Sequence, residues 1–319
     1  MRSPDPRYSV LIPSFNHAEY LEEAVRSALE QAEAEIEILI LDDGSSDGTA
    51  ELLGRLQALP GVRTSFQKNT GAHLALNRLL EQARGQYCAI LNSDDLFLSG
   101  HLQRLSEKLE IQPNAIIASS WIRIIDRKGR EIGLKRGWEN LPPWPRPAAG
   151  PTIEDLENPT LALLQTNWVS TTSNMLFRRK EILERNLRFL PLRYCHDWDF
   201  LLQAAHFGSI ALVPEALTAY RVHGSNTITE GREADEGRAL MRWEILSTLA
   251  RHAAAILRRH PLEEDLRPRL LRSLPDFGRP NLLLELLALR GNSEAAPYAY
   301  DALLKPGHPL REAALRALR

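Results

Sequence analysis

The first 91 residues alternate between strand-like and helix-like patterns of apolar side chains. The strand-like segments lie at residues 8–12, 36–41, 62–66 and 87–91. Between them, apolar residues recur three or four positions apart, as on one face of a helix. In the first helical segment this face is formed by Leu21, Ala24, Val25, Ala28 and Leu29. The strand–helix order, with a nearly continuous apolar run at 36–41, predicts an α/β fold with an open, mostly parallel sheet and helices on both faces.

The pattern is less regular in the middle of the chain. Residues 115–125 predict a strand, 126–130 a turn and 131–133 a returning strand. Five prolines within 137–151 exclude a regular helix or a central strand in that segment. We therefore expect a long loop there.

The last part of the chain combines further strands and helices. We expect a strand at 171–177, a helix at 197–207 and a proline-interrupted strand at 210–220. From about residue 234 the apolar spacing becomes helical. Residues 262–319 are rich in Leu, Ala and Arg, and we expect them to be helical too. The sequence thus predicts a C-terminal helical extension beyond the sheet.

Composition changes this picture little. The chain has 319 residues, and 39 basic residues against 41 acidic ones give a net charge of -2, so nothing demands a nucleic acid partner. The two cysteines, Cys88 and Cys195, are too few for a disulfide framework or a paired zinc motif. No stretch approaches the roughly 20 apolar residues of a membrane span. We expect a cytoplasmic protein without a nucleic acid partner.

Polar clusters follow the predicted strands. Three of them come directly after strand ends: PSFN at 13–16, DDGSSDG at 42–48 and NSDD at 92–95. Two more, HDWD at 196–199 and YRVHGS at 220–225, come later. In open α/β sheets, ligands collect at the carboxyl ends of the strands. These clusters are therefore the candidate functional residues.

Each cluster also has a purely structural interpretation. The second cluster looks like the start of a calcium loop, but Gly54 stands where that loop needs a bidentate glutamate. Asn16 could cap a helix, and Asp197 could simply complement a helix dipole. Asp94 carries a carboxylate, which is the kind of ligand that a divalent cation bound to phosphates uses. His223 becomes a credible ligand only beside such a carboxylate.

In combination the clusters resemble family 2 glycosyltransferases of the GT-A fold. The resemblance runs through VLIPSFN at 10–16, LEEAVRSALEQ at 21–31, ILILDDGSSDGT at 38–49, NTG at 69–71 and ILNSDD at 90–95. The last of these segments matches the Asp-x-Asp metal motif of the family. The resemblance covers about residues 8–226 and is most specific before residue 110.

The resemblance implies roles for individual residues. The residues that would bind the nucleotide sugar are Pro13, Phe15, Asn16, Asp42, Asn92 and Ser93. Asp94 would hold Mn²⁺ or Mg²⁺, and His223 would complete the metal site. Asp197 would be the catalytic base that removes the proton of the acceptor hydroxyl.

The resemblance also implies a domain layout and an activity. Residues 1–229 would form the GT-A domain, with a nucleotide-binding half at 1–110, an acceptor-binding half at 111–229 and a helical region at 230–319. The expected reaction is metal-dependent, inverting transfer of one sugar from a nucleoside diphosphate sugar, UDP-linked, in cell-surface polysaccharide or glycoconjugate synthesis. The acceptor would be a carbohydrate, a lipid-linked molecule or a protein. The helical region at 230–319 lies outside the resemblance; from its helical pattern and its Arg residues we expect self-association or peripheral contact with the inner membrane face.

Departures from the family pattern leave an alternative open. Asn92 replaces the first Asp of the metal motif, His196 stands where Glu is frequent, and Leu76 replaces a common arginine. A non-catalytic nucleotide- or sugar-binding protein on a degenerate transferase scaffold is therefore the alternative. A Rossmann oxidoreductase and a nucleotidyltransferase are disfavoured, because no glycine-rich loop follows the first strand. Ala239 replaces the Gln of the processive Gln-x-x-Arg-Trp motif, which predicts transfer of a single sugar.

Overall fold

The structure, a computed structural model, places one β-sheet between layers of helices. It describes residues 5–31, 36–137, 158–224, 226 and 235–260, together with 307, 311–312 and 315–316. The strands are β1 (Tyr8–Ser14), β2 (Ile36–Asp42), β3 (Val62–Phe66), β4 (Tyr87–Ile90), β5 (Leu96–Phe97), β6 (Ala115–Ile125), β7 (Glu131–Lys135), β8 (Leu176–Arg178) and β9 (Ser209–Arg221). The helices are α1 (Ala18–Leu29), α2 (Thr49–Leu56), α3 (Ala72–Gln82), α4 (His101–Ile111), α5 (Pro159–Ala162), α6 (Arg179–Glu184), α7 (His196–Ala205) and α8 (Asp235–Arg259).

The sheet combines long parallel ladders with short antiparallel ones. In the described residues its strand order is β3-β2-β1-β4-β8-β6-β9-β5, and β7 pairs with β6. The parallel ladders join β1 to β2 and β4, β2 to β3, and β6 to β9. Antiparallel ladders of two to four residue pairs join the remaining neighbours. The predicted α/β fold with an open, mostly parallel sheet is confirmed.

Alternate residues of the central strands enter different apolar cores. In β1, Val10 and Ile12 belong to one core, which also contains apolar residues of α1, α2 and α4. Leu11 belongs to the other, which contains those of α3, α7 and α8. The strands are thus buried on both faces, which explains why their sequences are continuously apolar. Helices on both faces of the sheet are confirmed.

Helix α8 packs into the core of the sheet. Trp243, Leu246, Leu249 and Ile256 are buried in the same cluster as Leu11 of the central strand. Trp243 therefore serves as a core residue. In the described part of residues 230–319, no segment joins the sheet. Among the described helices, none is both long and apolar enough to cross a membrane.

Two local predictions were wrong. Residues 171–177 do not form one strand, because a 3₁₀ helix (Thr172–Asn174) precedes β8. The Thr171 hydroxyl accepts a hydrogen bond from the Ser173 amide at 3.2 Å, and such a local bond favours a cap over an extended strand. Asn16 does not cap α1; the Asp47 carboxylate accepts from the Ala18 amide at the start of this helix, at 2.9 Å.

Several other predictions are confirmed or lie outside the described residues. The returning strand after the turn at 126–130 is β7, and the strand around Pro214 is β9. The β6–β9 register shifts where Val213 and Ala216 flank that proline, as expected for a residue without an N–H donor. The predicted loop at 137–151 lies outside the described residues except for Gly137, and nearly all of 262–319 does as well.

Candidate active site

The carboxyl ends of β1, β2 and β4 bring the first three polar clusters to one edge of the sheet. Ser14 at the end of β1 is in register with Asp42 at the end of β2. Leu91, just after β4, donates its amide to the Leu11 carbonyl at 3.0 Å. Because these strands are parallel, the segments that follow them leave the sheet side by side. The sequence-predicted residues of 13–16, 42–48 and 92–95 therefore lie at the same edge.

The loops after β1 and β2 are tied together by Asn16 and Ser45. The Asn16 amide donates to the Ser45 hydroxyl at 2.8 Å, and the Asn16 side-chain oxygen accepts from the Ser46 amide at 2.8 Å. Asn16 has a positive φ of 53°, which asparagine tolerates better than most residues. The Ser45 hydroxyl donates in turn to the buried Asp42 carboxylate at 2.5 Å. Phe15, which directly precedes Asn16, is 44% exposed and offers an aromatic surface at this edge of the sheet.

Asp43 anchors the loop after β2, a role that sequence reasoning missed. Its carboxylate accepts hydrogen bonds from the amides of Thr70 and Gly71, both at 2.8 Å, and from the Gln67 side chain at 2.7 Å. Gly44 follows with φ +81°, and a Cβ there would lie 2.9 Å from the Asn69 nitrogen. The Asp-Asp-Gly run could have indicated this turn. Asp43 thus fixes the loop, and Asp42 is left facing the edge of the sheet.

His17, Asp94 and His223 form a cluster of potential metal ligands. The Nε2 atom of His223 lies 3.0 Å from Asp94 Oδ2, and His17 Nε2 lies 4.0 Å from the same oxygen. One ligand atom from each residue lies within 4.8 Å of the others. The structure therefore brings together the predicted ligands Asp94 and His223. It adds His17, which sequence reasoning missed although it directly follows Asn16.

Neighbouring side chains orient both imidazoles. His17 Nδ1 lies 2.8 Å from the Ser93 hydroxyl, so its Nε2 faces Asp94. The ring of His223 stacks on Tyr20, with 5.2 Å between ring centroids. The His17 ring meets that of His223 edge to face at 5.6 Å. Partners that fix ring orientation in this way are a common feature of metal-binding histidines.

The carboxyl groups of Asp94 and Asp95 have opposite electrostatic environments. Burial alone would raise the pKa of Asp94, but the hydrogen bond to His223 and the nearby imidazoles hold it below its usual range. Burial and the adjacent Asp94 charge raise the pKa of Asp95 to about 8. Asp95 accepts from the Ser173 hydroxyl at 2.6 Å and from the Arg221 amide at 3.0 Å. The ionised form is therefore favoured for Asp94, whereas Asp95, which these hydrogen bonds hold in place, retains its proton more readily.

Asn92 and Ser93 point in different directions from the same loop. Asn92 Nδ2 donates to the Thr171 hydroxyl at 3.0 Å, and its Oδ1 accepts from the Thr172 hydroxyl at 2.8 Å. Ser93 contacts the ligand cluster through His17. Asn92 therefore secures the loop to the segment around the 3₁₀ helix.

Arg221, at the end of β9, supports the loop 92–95. Its guanidinium is buried and donates to the Asp94 carbonyl at 2.9 Å and to the Glu23 carboxylate at 2.7 Å. It also lies over the Tyr20 ring, 5.0 Å from the centroid. The sequence indicated the cluster at 220–225 as a candidate functional cluster but gave no role to this arginine. Because Arg221 immediately precedes the turn to His223, it links the positions of Asp94 and His223.

Asp197 lies in the first turn of α7. Asn167 Nδ2 donates to its Oδ2 at 2.8 Å, and its other oxygen accepts from the Trp198 amide at 2.7 Å. Burial raises the pKa of Asp197, an effect that the neighbouring His196 partly opposes. The segment that carries Asn167 continues to Thr171 and Thr172, whose hydroxyls contact Asn92. It therefore connects the surroundings of Asp197 to the loop 92–95.

Comparison with known proteins assigns a family to this arrangement. The chain matches glycosyl transferase family 2 over residues 9–184 and belongs to this family of transferase enzymes. It is 30% identical over 227 residues to an uncharacterized glycosyltransferase of Nostoc sp., a match that covers 69% of this chain and 66% of that relative.

Solved structures show the fold. The fold is similar to that of S. aureus TarS (residues 1–349) in complex with UDP-GlcNAc, with a TM-score of 0.56, 16% identity, and coverage of 93% of this chain and 90% of that one. It is also similar to the mannosyltransferase PcManGT of Pyrobaculum calidifontis in complex with GDP-Man and Mn²⁺, with a TM-score of 0.57, 19% identity, and coverage of 98% and 86%. The predicted GT-A fold is thereby confirmed.

Proposed function

We propose that this protein is a metal-dependent, inverting glycosyltransferase that moves one sugar from a nucleoside diphosphate sugar to an acceptor hydroxyl. The observation that carries the proposal is the His17–Asp94–His223 cluster at the sheet edge where Asp42 and Asn16 also lie. A nucleoside site next to a cation site is what a sugar nucleotide requires, since its diphosphate must be neutralised. The family membership and the GT-A fold support the same conclusion.

For the donor, we propose a UDP-linked sugar bound between the loops after β1 and β2. Asp42 is buried, and a carboxylate that accepts from Ser45 retains lone pairs for the imino N–H of a uracil. The exposed ring of Phe15 and the adjacent Pro13 offer an apolar surface for the base. Asn16 holds the two loops in the required arrangement. Ser93, which contacts His17, would bind the nucleotide sugar close to the potential metal ligands.

The cluster residues fit a divalent transition metal such as Mn²⁺. One ionised carboxylate and two oriented imidazoles form a mixed oxygen–nitrogen donor set, which suits Mn²⁺ and its heavier neighbours better than Mg²⁺. His17, Asp94 and His223 would hold the ion and leave open positions for diphosphate oxygens. When bound, the ion would stabilise the negative charge that develops on the leaving diphosphate. Ser93 and Tyr20 keep the two imidazoles in place for this task.

Asp197 is the proposed general base. Burial raises the pKa of its carboxyl, which brings it closer to the range in which a base is effective near neutral pH. Asn167 holds Oδ2 and the Trp198 amide holds Oδ1, so the group has a fixed orientation. Its role is to take the proton of the acceptor hydroxyl as that oxygen attacks the anomeric carbon. Attack from the face opposite the diphosphate gives inversion, and no enzyme nucleophile is needed.

The acceptor is proposed by chemical class alone, as a hydroxyl in a cell-surface polysaccharide or glycoconjugate. Transfer of a single sugar is supported by the position of Arg242 and Trp243 in α8. The processive motif would need a glutamine at 239, but that residue is the buried Ala239, and Trp243 fills the core. This tryptophan therefore has a packing role in place of a sugar-binding one.

A binding and turnover experiment tests the proposal. UDP should raise the melting temperature of the protein, and should raise it further with Mn²⁺, because a ligand at 100 times its Kd adds about 2.7 kcal/mol of stability. UDP-GlcNAc, UDP-glucose and GDP-mannose should then be compared for metal-dependent hydrolysis without acceptor. Binding without any hydrolysis would favour the non-catalytic alternative. No stabilisation by any nucleoside diphosphate with Mn²⁺ would contradict the proposal entirely.

A further inference from the structure

Side chains of helix α8 make polar contacts to residues 193–199, which include the proposed base Asp197. The helix lies beyond the part of the chain that matches the family. The family match ends at residue 184, whereas α8 spans Asp235–Arg259. Three side chains of this helix, Glu244, Arg251 and His252, reach the residues on either side of Asp197. Arg251 and His252 follow Glu244 by seven and eight positions, which places them about two turns further along the same side of α8.

Glu244 holds the chain just before α7. One oxygen of its buried carboxylate accepts from the Arg193 amide at 2.9 Å. The other accepts from the amides of Tyr194 and Cys195, at 2.7 and 3.1 Å. Three consecutive backbone donors are thus bound by a single side chain, and α7 starts at the next residue, His196. The conformation of this entry segment fixes where the first turn of α7 begins.

Arg251 and His252 hold α7 on the other side of Asp197. Asp199 is fully buried, and its Oδ1 lies 3.1 Å from Arg251 Nη1 and 2.9 Å from His252 Nε2. Burial would raise the pKa of Asp199, but His252 and Arg251 hold it below the usual range. His252 also contacts His206 at the end of α7, at 3.0 Å. Asp199 is therefore an ionised anchor, which leaves Asp197 as the carboxylate available for chemistry.

The apolar packing of α8 against the core does not require these charged contacts. Trp243, Leu246, Leu249, Ala250 and Ala253 already bury α8 against the core. Buried ionic groups carry a desolvation cost, and apolar replacements are often as stable or more stable. What hydrogen bonds add is a specific geometry. Here that geometry is imposed on both sides of one residue, Asp197.

We propose that α8 is a positioning element for the catalytic base, through Glu244 before it and the Arg251–His252 pair after it. The inference rests on the proposed role of Asp197. It assigns to the C-terminal helix a role in the reaction that its position beyond the family match does not suggest. A displacement of a catalytic group by about 1 Å can cost about 100-fold in rate, so a small rotation of the first turn of α7 would suffice.

The test uses the full chain with single substitutions in α8. Glu244→Gln retains the shape but sets an NH₂ group against backbone donors. His252→Leu removes the donor to Asp199, whereas His252→Gln can donate again. Glu236→Gln is the matched control, because Glu236 is exposed on the same helix. Acceptor-free hydrolysis of the best donor among UDP-GlcNAc, UDP-glucose and GDP-mannose is measured with Mn²⁺, together with UDP affinity and melting temperature.

We expect Glu244→Gln and His252→Leu to lower kcat about tenfold or more, while the donor KM and the UDP affinity change less than about twofold. His252→Gln should recover much of the loss, and Glu236→Gln should match the wild type. Normal kcat in both Glu244→Gln and His252→Leu would overturn the inference alone. An equal loss of UDP affinity would also overturn it, because that would indicate general loosening of the fold. A wild-type protein that neither hydrolyses donors nor binds UDP would overturn the proposed function and this inference with it.

Discussion

Replacing His17 with alanine should weaken metal binding before any nucleotide is present. The distances between the potential metal-ligand atoms give the reason. Metal–nitrogen and metal–oxygen bonds of about 2.0–2.2 Å place adjacent ligand atoms about 3 Å apart. Asp94 Oδ2 already lies 3.0 Å from His223 Nε2, and it lies 4.0 Å from His17 Nε2. A shift of about 1 Å in His17 would therefore bring its Nε2 as close to Asp94 Oδ2 as that of His223.

The size of the effect follows from the number of protein ligands. Loss of a residue that merely orients a ligand typically costs 10- to 100-fold in metal affinity, so loss of a ligand should cost about 100-fold. That factor corresponds to about 2.7 kcal/mol. The loss should be smaller when UDP is present, because diphosphate oxygens then supply ligands of their own. If Asp94 were the sole protein ligand, neither the wild type nor His17→Ala would bind much metal in the absence of the nucleotide.

The assay is titration of the nucleotide-free protein with Mn²⁺, followed by isothermal calorimetry and by the electron paramagnetic resonance signal of free Mn²⁺. His260→Ala is the control, because His260 lies at the end of α8 and contacts the Ala205 carbonyl. We also expect Mn²⁺ to bind more tightly than Mg²⁺ to the wild type, and the preference to shrink in His17→Ala. An unchanged Mn²⁺ affinity in His17→Ala would refute a ligand role for this histidine.

Further predictions concern the other site residues. Asp94→Ala should abolish the metal-dependent part of UDP binding, as measured by calorimetry with and without Mn²⁺. Asp42→Asn should weaken UDP binding by about tenfold or more, through loss of a charge-assisted hydrogen bond, while Mn²⁺ binding to the free protein stays the same. Asp197→Asn should reduce transfer by about 10²- to 10⁴-fold and leave UDP–Mn²⁺ affinity intact; near-normal turnover would rule out this base. The rate should also fall as the pH drops through the pKa of Asp197, since the base must be ionised. Because burial raises that pKa, the acid limb of a kcat profile should lie above the ordinary Asp value of about 3.9.

The first half of the fold was predictable because its signals are local. The strands β1, β2 and β4 are buried on both faces, so their apolar side chains stand out in the sequence. The polar clusters at 13–16, 42–48 and 92–95 follow strand ends, and parallel pairing places them at one edge. Residues such as Asp42 and Asp94 could therefore be identified before their contacts were known.

The missed features depend on contacts between distant parts of the chain. His17 lies 77 positions before Asp94 and 206 before His223, and its helical neighbours give no sign of a metal-binding role. Arg221 ends a strand that is largely apolar, and only the folded chain shows that it donates to the Asp94 carbonyl. Glu244 lies on a helix whose apolar spacing predicts packing alone. Such residues cannot be singled out by periodicity, because their function is set by their tertiary partners.

The same contacts change the meaning of Asn92. In the sequence, this residue looks like a lost metal-binding carboxylate. In the structure, Asn92 Nδ2 lies 3.4 Å from the Asp95 carboxyl and donates to Thr171, while its Oδ1 accepts from Thr172. An aspartate at 92 could not donate to either partner, and its charge would oppose the ionisation of Asp94 in a buried loop. In the proposed metal site, an asparagine at 92 would leave Asp94 as the one ionised ligand, and His17 and His223 would supply the remaining donor atoms. Asn92 therefore favours a site that uses imidazoles in place of a second carboxylate over a site that has lost its function.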